Sequence, residues 1–335
     1  MKLLASRWLR TFLLAVVCLF AVILTVAVYL FYAPTPPPPL LSTAIQPGTI
    51  RVGGLDRSYL LYAPAPLPPS PPLVFVFHGS TQAGADIRVA TGYEFDRLAD
   101  EHGFVVVYPD GFEGNWNDCR KTASYPARQL GVDDVGFFTA LTDRLRETVG
   151  ADASRVFAAG YSNGGHFAYR LALEHPDRVT AVAAFAASLP TDDNCDCRLT
   201  GTAVPVMIVN GTKDPINPYG GGTVTIAGFG NRGTARSSRA SAEYFAGLAG
   251  LPAPLETRAP AEGEVEGTWV ETARWYAPGR AEVALVTVHG GGHVVPQPVY
   301  RPQRILGKAS AALNGPAEAW SFFARQVPVA SKPRE

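Results

Sequence analysis

The sequence predicts an α/β fold: an open, mostly parallel central sheet with helices on both faces, preceded by one N-terminal transmembrane helix. Three observations lead there. Short apolar runs alternate with stretches of helical spacing; most of those runs carry no charge and end in a turn signal; and one long uncharged segment stands apart at the N-terminus. Runs without internal charge suit strands buried on both faces of a parallel sheet. Strand then helix, repeated, gives an open α/β sheet.

Taken in order, the chain begins with Lys2, Arg7 and Arg10 ahead of 11–33, which carries no charge and is long enough to cross a bilayer as one helix. A signal peptide would have a shorter apolar region ending in a small-x-small site. The one candidate, Thr25-Val26-Ala27, runs on into more apolar residues. An uncleaved anchor over 1–33 is therefore expected, with the basic flank inside and the rest periplasmic or extracellular; secretion after cleavage is the alternative. Cys18 reads as a small apolar residue within that helix. Residues 34–48, "PTPPPPLLSTAIQPG", are too proline-rich for helix or central strand and are expected to form a stiff spacer holding the domain off the membrane. A single α/β domain is expected over 49–328, and a short tail over 329–335.

Within that domain a pair of strands, "TIRVGG" and "RSYLLYAPA", precedes the buried runs "LVFVFHG", "GFVVVYPDG", "RVFAAGYS", "VTAVAAFAAS", "PVMIVNG" and "EVALVTVHG". Helical spacing marks "YEFDRLADEH", "DVGFFTALTDRLRETVG", "GGHFAYRLALEH", "RASAEYFAGLAG" and "PAEAWSFFARQ". At 335 residues and 47% hydrophobic the chain can bury a sizeable core. Lys+Arg and Asp+Glu are equal at 29 each, so no nucleic-acid partner is expected. In an oxidising compartment Cys119 is expected to pair with Cys195 or Cys197, leaving one thiol over. "CDC" lacks a second Cys/His pair at ligand spacing and is not read as a zinc site.

Ligands of such sheets gather at the carboxyl ends of the strands. There, in "AAGYSNGGHFAYR", Ser162 falls at a strand-to-helix junction with Gly160 and Gly164 two residues to either side. A nucleophile on so sharp a turn needs small neighbours, because strand and helix backbones nearly touch. The helix N-terminus then points its free N–H groups at the place where an oxyanion forms. Ser162 is thus a candidate nucleophile.

A serine needs a base, and the base an orienting acid. Of the six histidines, His293 in "HGGGHVVP" lies in a glycine-rich loop after the last predicted strand and is the expected base, with His289 as the fallback. His102 and His175 read as helix-end residues, His166 as a surface or packing residue, and His78 as a strand-end residue. Serine hydrolases on such sheets run serine, acid, histidine along the chain. Asp214, directly after "PVMIVNG", is the expected acid, rather than a turn-forming residue before Pro215. Asp192, Asp193 and Asp196 read as loop residues, and Glu262, Glu264, Glu266 and Glu271 as part of a polar, poorly periodic segment. The oxyanion donors expected are the backbone N–H of Asn163 and that of Ser80 or Thr81 in "HGSTQAG". Neither metal nor redox cofactor is needed for this chemistry, and the chain has no phosphate loop or zinc-protease motif.

With those residues in place, the stretch of about 49–325 resembles the polyhydroxybutyrate-depolymerase-like esterases, related to the feruloyl and acetylxylan esterases of the α/β-hydrolase superfamily. The resemblance is carried by "PLVFVFHGSTQ", "VVYPDG", "WNDCR", "GVDDVGFFTAL", "GYSNGGHFAYRLA", "VPVMIVNGTKDPINPYGGG", "GGGHVVP" and "ILGKASAALNGPAEAWSFFARQ". It implies the α/β-hydrolase fold, a triad of Ser162, Asp214 and His293, and an oxyanion segment at "HGST". The histidine loop departs from the pattern: "GGHVVPQP" lacks the aromatic and tryptophan found in many relatives, which bears on the acyl or alcohol pocket. Trp116 and Asp118 in "NWNDCR" lie on the catalytic side and are candidate substrate contacts, or else a packing residue and a cap. Asp133 and Asp134 are expected as N-cap and first-turn acid of the following helix. The expected function is hydrolysis of carboxylic esters, such as hydroxyalkanoate oligomers or feruloyl and acetyl esters, through an acyl-enzyme. The alternatives are a serine peptidase on the same fold and a non-catalytic binding protein.

Overall fold

The computed structural model describes residues 2–226, 228–258 and 265–326. The expected tail at 329–335, the end of the domain beyond 326, and Glu262 and Glu264 lie outside the described residues.

A ten-stranded sheet organises them, in the order β1-β2-β4-β3-β5-β6-β7-β12-β11-β10. Its middle is parallel: β4 (Val105–Pro109), β3 (Leu73–Phe77), β5 (Val156–Tyr161), β6 (Ala181–Phe185), β7 (Val206–Gly211) and β12 (Val283–His289). Antiparallel strands flank it, β1 (Gln46–Val52) and β2 (Leu55–Tyr62) on one side, β11 (Trp269–Trp275) and β10 (Leu255–Arg258) on the other. This is the mixed α/β architecture that the alternation of runs predicts.

The charge-free runs are explained by what the strands touch. Alternate residues of β3, β4 and β5 enter opposite cores: Phe75, Phe77, Val107 and Ala158 face one side, Val74, Val76, Val106 and Phe157 the other. Helices α5 (Asp134–Val149), α6 (Asn163–Glu174) and α7 (Ser238–Leu248) close the first core with Phe137, Leu141, Phe167 and Phe245. Helices α2 (Gly84–Ala90), α3 (Glu94–His102) and α8 (Gly315–Gln326) close the second with Ile87, Phe95, Phe322 and Phe323. A buried polar residue on a central strand needs a partner, and the two such residues of β7 and β12 have one: Asn210 accepts from the Ala187 N–H (3.0 Å), and the Thr287 hydroxyl pairs with that of Tyr219 (2.7 Å).

Several sequence expectations are corrected. The polar segment containing Glu271 runs into a strand, β11, which lies between β12 and β10 and tolerates charge because several of its positions are only half-buried. Asp133 caps α5, accepting from the Gly136 N–H at 2.7 Å, but Asp134 is more than a first-turn acid. Its buried carboxylate pairs with Arg57 of β2 (2.7 Å) and accepts from the Asn117 N–H (2.7 Å), tying strand to loop.

At the N-terminus, α1 (Lys2–Phe31) is long and apolar enough to cross a membrane, with mean hydropathy 3.0 over an 18-residue stretch within Trp8–Phe31. The proline-rich segment is extended, but it runs along the domain instead of standing clear of it. Tyr93 donates to the Pro36 carbonyl (3.2 Å), Ser42 bonds Asp100 through both N–H and Oγ, and Leu41 and Ile45 pack on the second core.

Candidate active site

The turn from β5 into α6 is sterically forced. Ser162 has φ 51° and ψ −115°, outside the ordinary L-residue regions. A Cβ on Gly160 would lie 2.1 Å from the Gly164 carbonyl oxygen, and one on Gly164 would lie 2.3 Å from that of Phe77. Backbone is touching backbone, so only glycine fits at either place. The tightness lifts the serine side chain above the carboxyl edge of the sheet.

Asp214 and His293 reach the same point from the ends of β7 and β12. His293 Nε2 stands 2.9 Å from Ser162 Oγ, and His293 Nδ1 stands 2.7 Å from Asp214 Oδ2. A carboxylate can only accept here, which places the imidazole proton on Nδ1 and leaves Nε2 to accept from the serine hydroxyl. The other Asp214 oxygen accepts from the Ile216 and Asn217 N–H groups, both at 2.8 Å, so the buried carboxylate is fully partnered. Glycines again permit the approach: a Cβ on Gly211 would strike the Gly291 carbonyl oxygen at 2.3 Å. Tyr161 donates to the His293 carbonyl at 2.8 Å; burial first, and then the charge of Asp214, push its phenol up and keep it protonated.

His289 is elsewhere. It lies 2.9 Å from Glu271 across the β11–β12 pair and stacks on Trp269, so of the two candidates only His293 meets the serine. His166 is buried in α6, where burial and then the nearby Arg120 drive its imidazole well below its ordinary range. His78 is likewise held neutral, chiefly by burial; its Nε2 accepts from the Gly111 N–H at 2.8 Å.

The expected oxyanion donors separate. The Thr81 N–H already donates to the Gly114 carbonyl (2.8 Å), and the Gly79 N–H to Gln82 (2.8 Å). Of the two expected alternatives, the Ser80 N–H is the one with no protein acceptor among the described residues, and the Asn163 N–H at the start of α6 has none either. Thr81 is therefore removed from the pair of alternatives.

Of the two readings of Trp116 and Asp118, burial excludes the substrate contacts. Trp116 is 1% exposed, wedged between Phe77 and Phe167, with its indole N–H donating to the His78 carbonyl (3.0 Å). Asp118 is wholly buried, so neither can touch a substrate. What the sequence reading missed is the role of the Asn163 side chain. It accepts from the Trp116 N–H (2.7 Å) and donates to Asp118 (2.7 Å), clamping the 116–118 loop to the elbow. Asp118 forks onto Arg120, Arg120 donates to Tyr125 Oη (3.2 Å), and Ser80 Oγ donates to that same oxygen (3.0 Å). Burial alone would push the Asp118 carboxyl up, but Arg120 beside it holds it below the usual range. A buried chain of polar groups thus joins the residue after the serine to the loop that carries Ser80. Only "WNDCR", as a run of polar residues after a strand, hinted at it. Cys119 bonds to Cys197, fastening this loop to the one after β6, and Cys195 is the thiol left over.

Beside Ser162 and His293 lies a cavity of about 370 Å³. Ile216, Val224, Ile226, Ile305 and Leu306 give it apolar walls, and Phe31 at the end of α1 borders it.

The family described as "Putative esterase" matches residues 59–217. Among curated proteins, the chain is 30% identical to "Putative esterase NocK" of Nocardia uniformis subsp. tsuyamanensis over 87% of this chain and 86% of that protein. It is 29% identical to "Bifunctional acetylxylan esterase/xylanase XynS20E" of Neocallimastix patriciarum over 45% of this chain, but only 20% of that protein. The fold matches a solved acetyl xylan esterase from Aspergillus awamori, with TM-score 0.54, 18% identity and coverage of 76% of this chain and 96% of that one.

Proposed function

Since this chain belongs to the esterase family of α/β-hydrolases and is a carboxylic ester hydrolase, we propose that Ser162, His293 and Asp214 are its nucleophile, base and orienting acid. The observation that carries this reading is the 2.9 Å contact of His293 Nε2 with Ser162 Oγ on a strained elbow, with Asp214 on the far ring nitrogen. Ser162 Oγ attacks the ester carbonyl carbon as its proton passes to His293 Nε2. The tetrahedral oxyanion is held by the Ser80 and Asn163 N–H groups. The carbon–oxygen bond to the alcohol breaks as His293 returns the proton to the departing oxygen. Water, deprotonated by His293, then cleaves the acyl-enzyme and restores Ser162.

Hydroxyalkanoate oligomers and feruloyl or acetyl esters are the substrates proposed, the latter supported by the relatives' names. The helix α1 is proposed to anchor the domain on the outer side of a membrane, which its length and the preceding basic residues support. Labelling by a fluorophosphonate tests the nucleophile. Wild type should label and Ser162→Ala should not; equal labelling of both would sink the assignment. His293→Ala should lower kcat by roughly 10³-fold or more, and His289→Ala should leave it near wild type. The reverse pattern would transfer the base to His289.

A further inference from the structure

Two guanidinium groups line the cavity beside Ser162, Arg120 and Arg232, and no carboxylate lines it among the described residues. The two are not equivalent. Arg120 is buried and neutralised by Asp118, with Tyr125 as a further partner. Arg232 is half-buried, and its guanidinium has neither an ion-pair nor a hydrogen-bond partner among the described residues.

Its position is nonetheless defined. The Arg232 N–H donates to the Val224 carbonyl (3.0 Å), and its own carbonyl accepts from Asn194 (3.1 Å), fixing the backbone between β8 (Gly222–Thr223) and β9 (Thr234–Ala235). The guanidinium carbon sits 5.4 Å from the centre of the Tyr125 ring, whose hydroxyl bonds the oxyanion loop. A cation on an aromatic face is held by the ring quadrupole while its edge N–H groups stay available. Around it the walls are apolar, and there a charge is felt more strongly than in water.

We propose that Arg232 binds an anionic group of the substrate, a carboxylate by preference, so that the site selects esters bearing a second, ionised acid function. The planar fork of a guanidinium matches a carboxylate in two parallel N–H···O bonds, and among the described residues no acid lines the cavity to compete. The proposal rests on the reading of Ser162 as nucleophile, since it places the anion within the cavity where the ester is cut. The anion could sit on the acyl or on the alcohol portion, and matched ester pairs separate the two.

The acyl arm compares monomethyl adipate with dimethyl adipate; the alcohol arm compares 4-acetoxybenzoate with methyl 4-acetoxybenzoate. Wild type should favour the anionic member of one pair by about tenfold in kcat/KM, the size of one good charged contact, mainly through KM. Arg232→Gln should abolish that ratio, and Arg232→Lys, which keeps charge without the fork, should keep part of it. Added salt should shrink the ratio in wild type. Absence of a preference in both pairs, or an Arg232→Gln ratio equal to wild type, overturns the proposal. Calorimetric binding of monomethyl adipate to Ser162→Ala reads Arg232 without turnover: loss of binding in Ser162→Ala/Arg232→Gln supports it, and equal binding overturns it. Failure of wild type to hydrolyse any of the four esters would count against the esterase reading alone.

Discussion

At the scale of single residues, the site depends on buried polar groups that must keep one protonation state. His166 is the sharpest case. It is enclosed in α6, its Nδ1 has no partner, and Asp118, Arg120, His293 and Arg232 all act on it. Burial, then Arg120, holds it neutral far below the ordinary histidine value of 6.5. In the unfolded chain it protonates normally. As pH falls through that value the unfolded state takes up a proton that the folded state refuses, so stability declines. His166→Gln removes this proton uptake. Wild type should therefore lose more Tm than His166→Gln between about pH 7 and pH 5, whatever the two baselines are. Equal losses would show that His166 is charged in the fold. From sequence, His166 reads as a surface or packing residue, and Trp116 and Asp118 as substrate contacts or else as a packing residue and a cap; burial decides both. Ser162, Asp214 and His293 were legible because strand ends and flanking glycines announce themselves in sequence. The Asn163–Asp118–Arg120–Tyr125–Ser80 chain was not, since each link is a side-chain direction that no periodicity encodes.

At the scale of elements, strands buried on both faces were readable as charge-free runs, and five of the helices as amphipathic ones. The short helices α2 and α4 (Pro126–Gln129), and the strands β11 and β10 at one end of the sheet, were not. Two turns or fewer carry too little period to register, and a strand with half-exposed positions, as in β11, mixes charge into its pattern. Cysteine pairing was narrowed to two possibilities, and the fold selects Cys197 over Cys195 for Cys119. That bond spans 78 residues and joins the loop bearing Trp116 and Asp118 to the loop after β6. Closing a loop of that length stabilises by up to about 4.5 kcal/mol in the chain-entropy account. Cys119→Ser/Cys197→Ser should shift the urea midpoint down accordingly, and dithiothreitol should do the same to wild type. An unchanged midpoint in both would mean that the two loops are held by their hydrogen bonds, Asp196 N–H to Cys119 O and Lys121 N–H to Asn194 O, without need of the bond.

At the scale of the whole molecule, the segment between α1 and the sheet is what relates the apolar helix to the catalytic cavity. Residues 32–45 lie along the domain, and α1 ends beside the active site: Arg304 donates to the Tyr29 carbonyl (3.1 Å), and Phe31 borders the cavity that holds Ser162. Proline content foretold an extended chain but not its course, because the surface it follows is assembled from α3 and β2, distant in sequence. Ser42 bonds Asp100 of α3, Tyr62 of β2 donates to the same carboxylate, and Thr43 donates to the Ala63 carbonyl (2.7 Å). Each such bond contributes about 0.5–1.5 kcal/mol net. Removing 1–31 deletes the apolar helix and leaves these contacts, so that truncation should give a water-soluble, folded esterase. Removing 1–45 strips the strap as well, and should lower unfolding free energy by a further 2–4 kcal/mol or so, measured by urea denaturation of the two truncations side by side. If the two unfold at the same midpoint, the strap rests on the domain without holding to it. In that case the contact of Phe31 with the catalytic cavity would not be maintained by the chain between them.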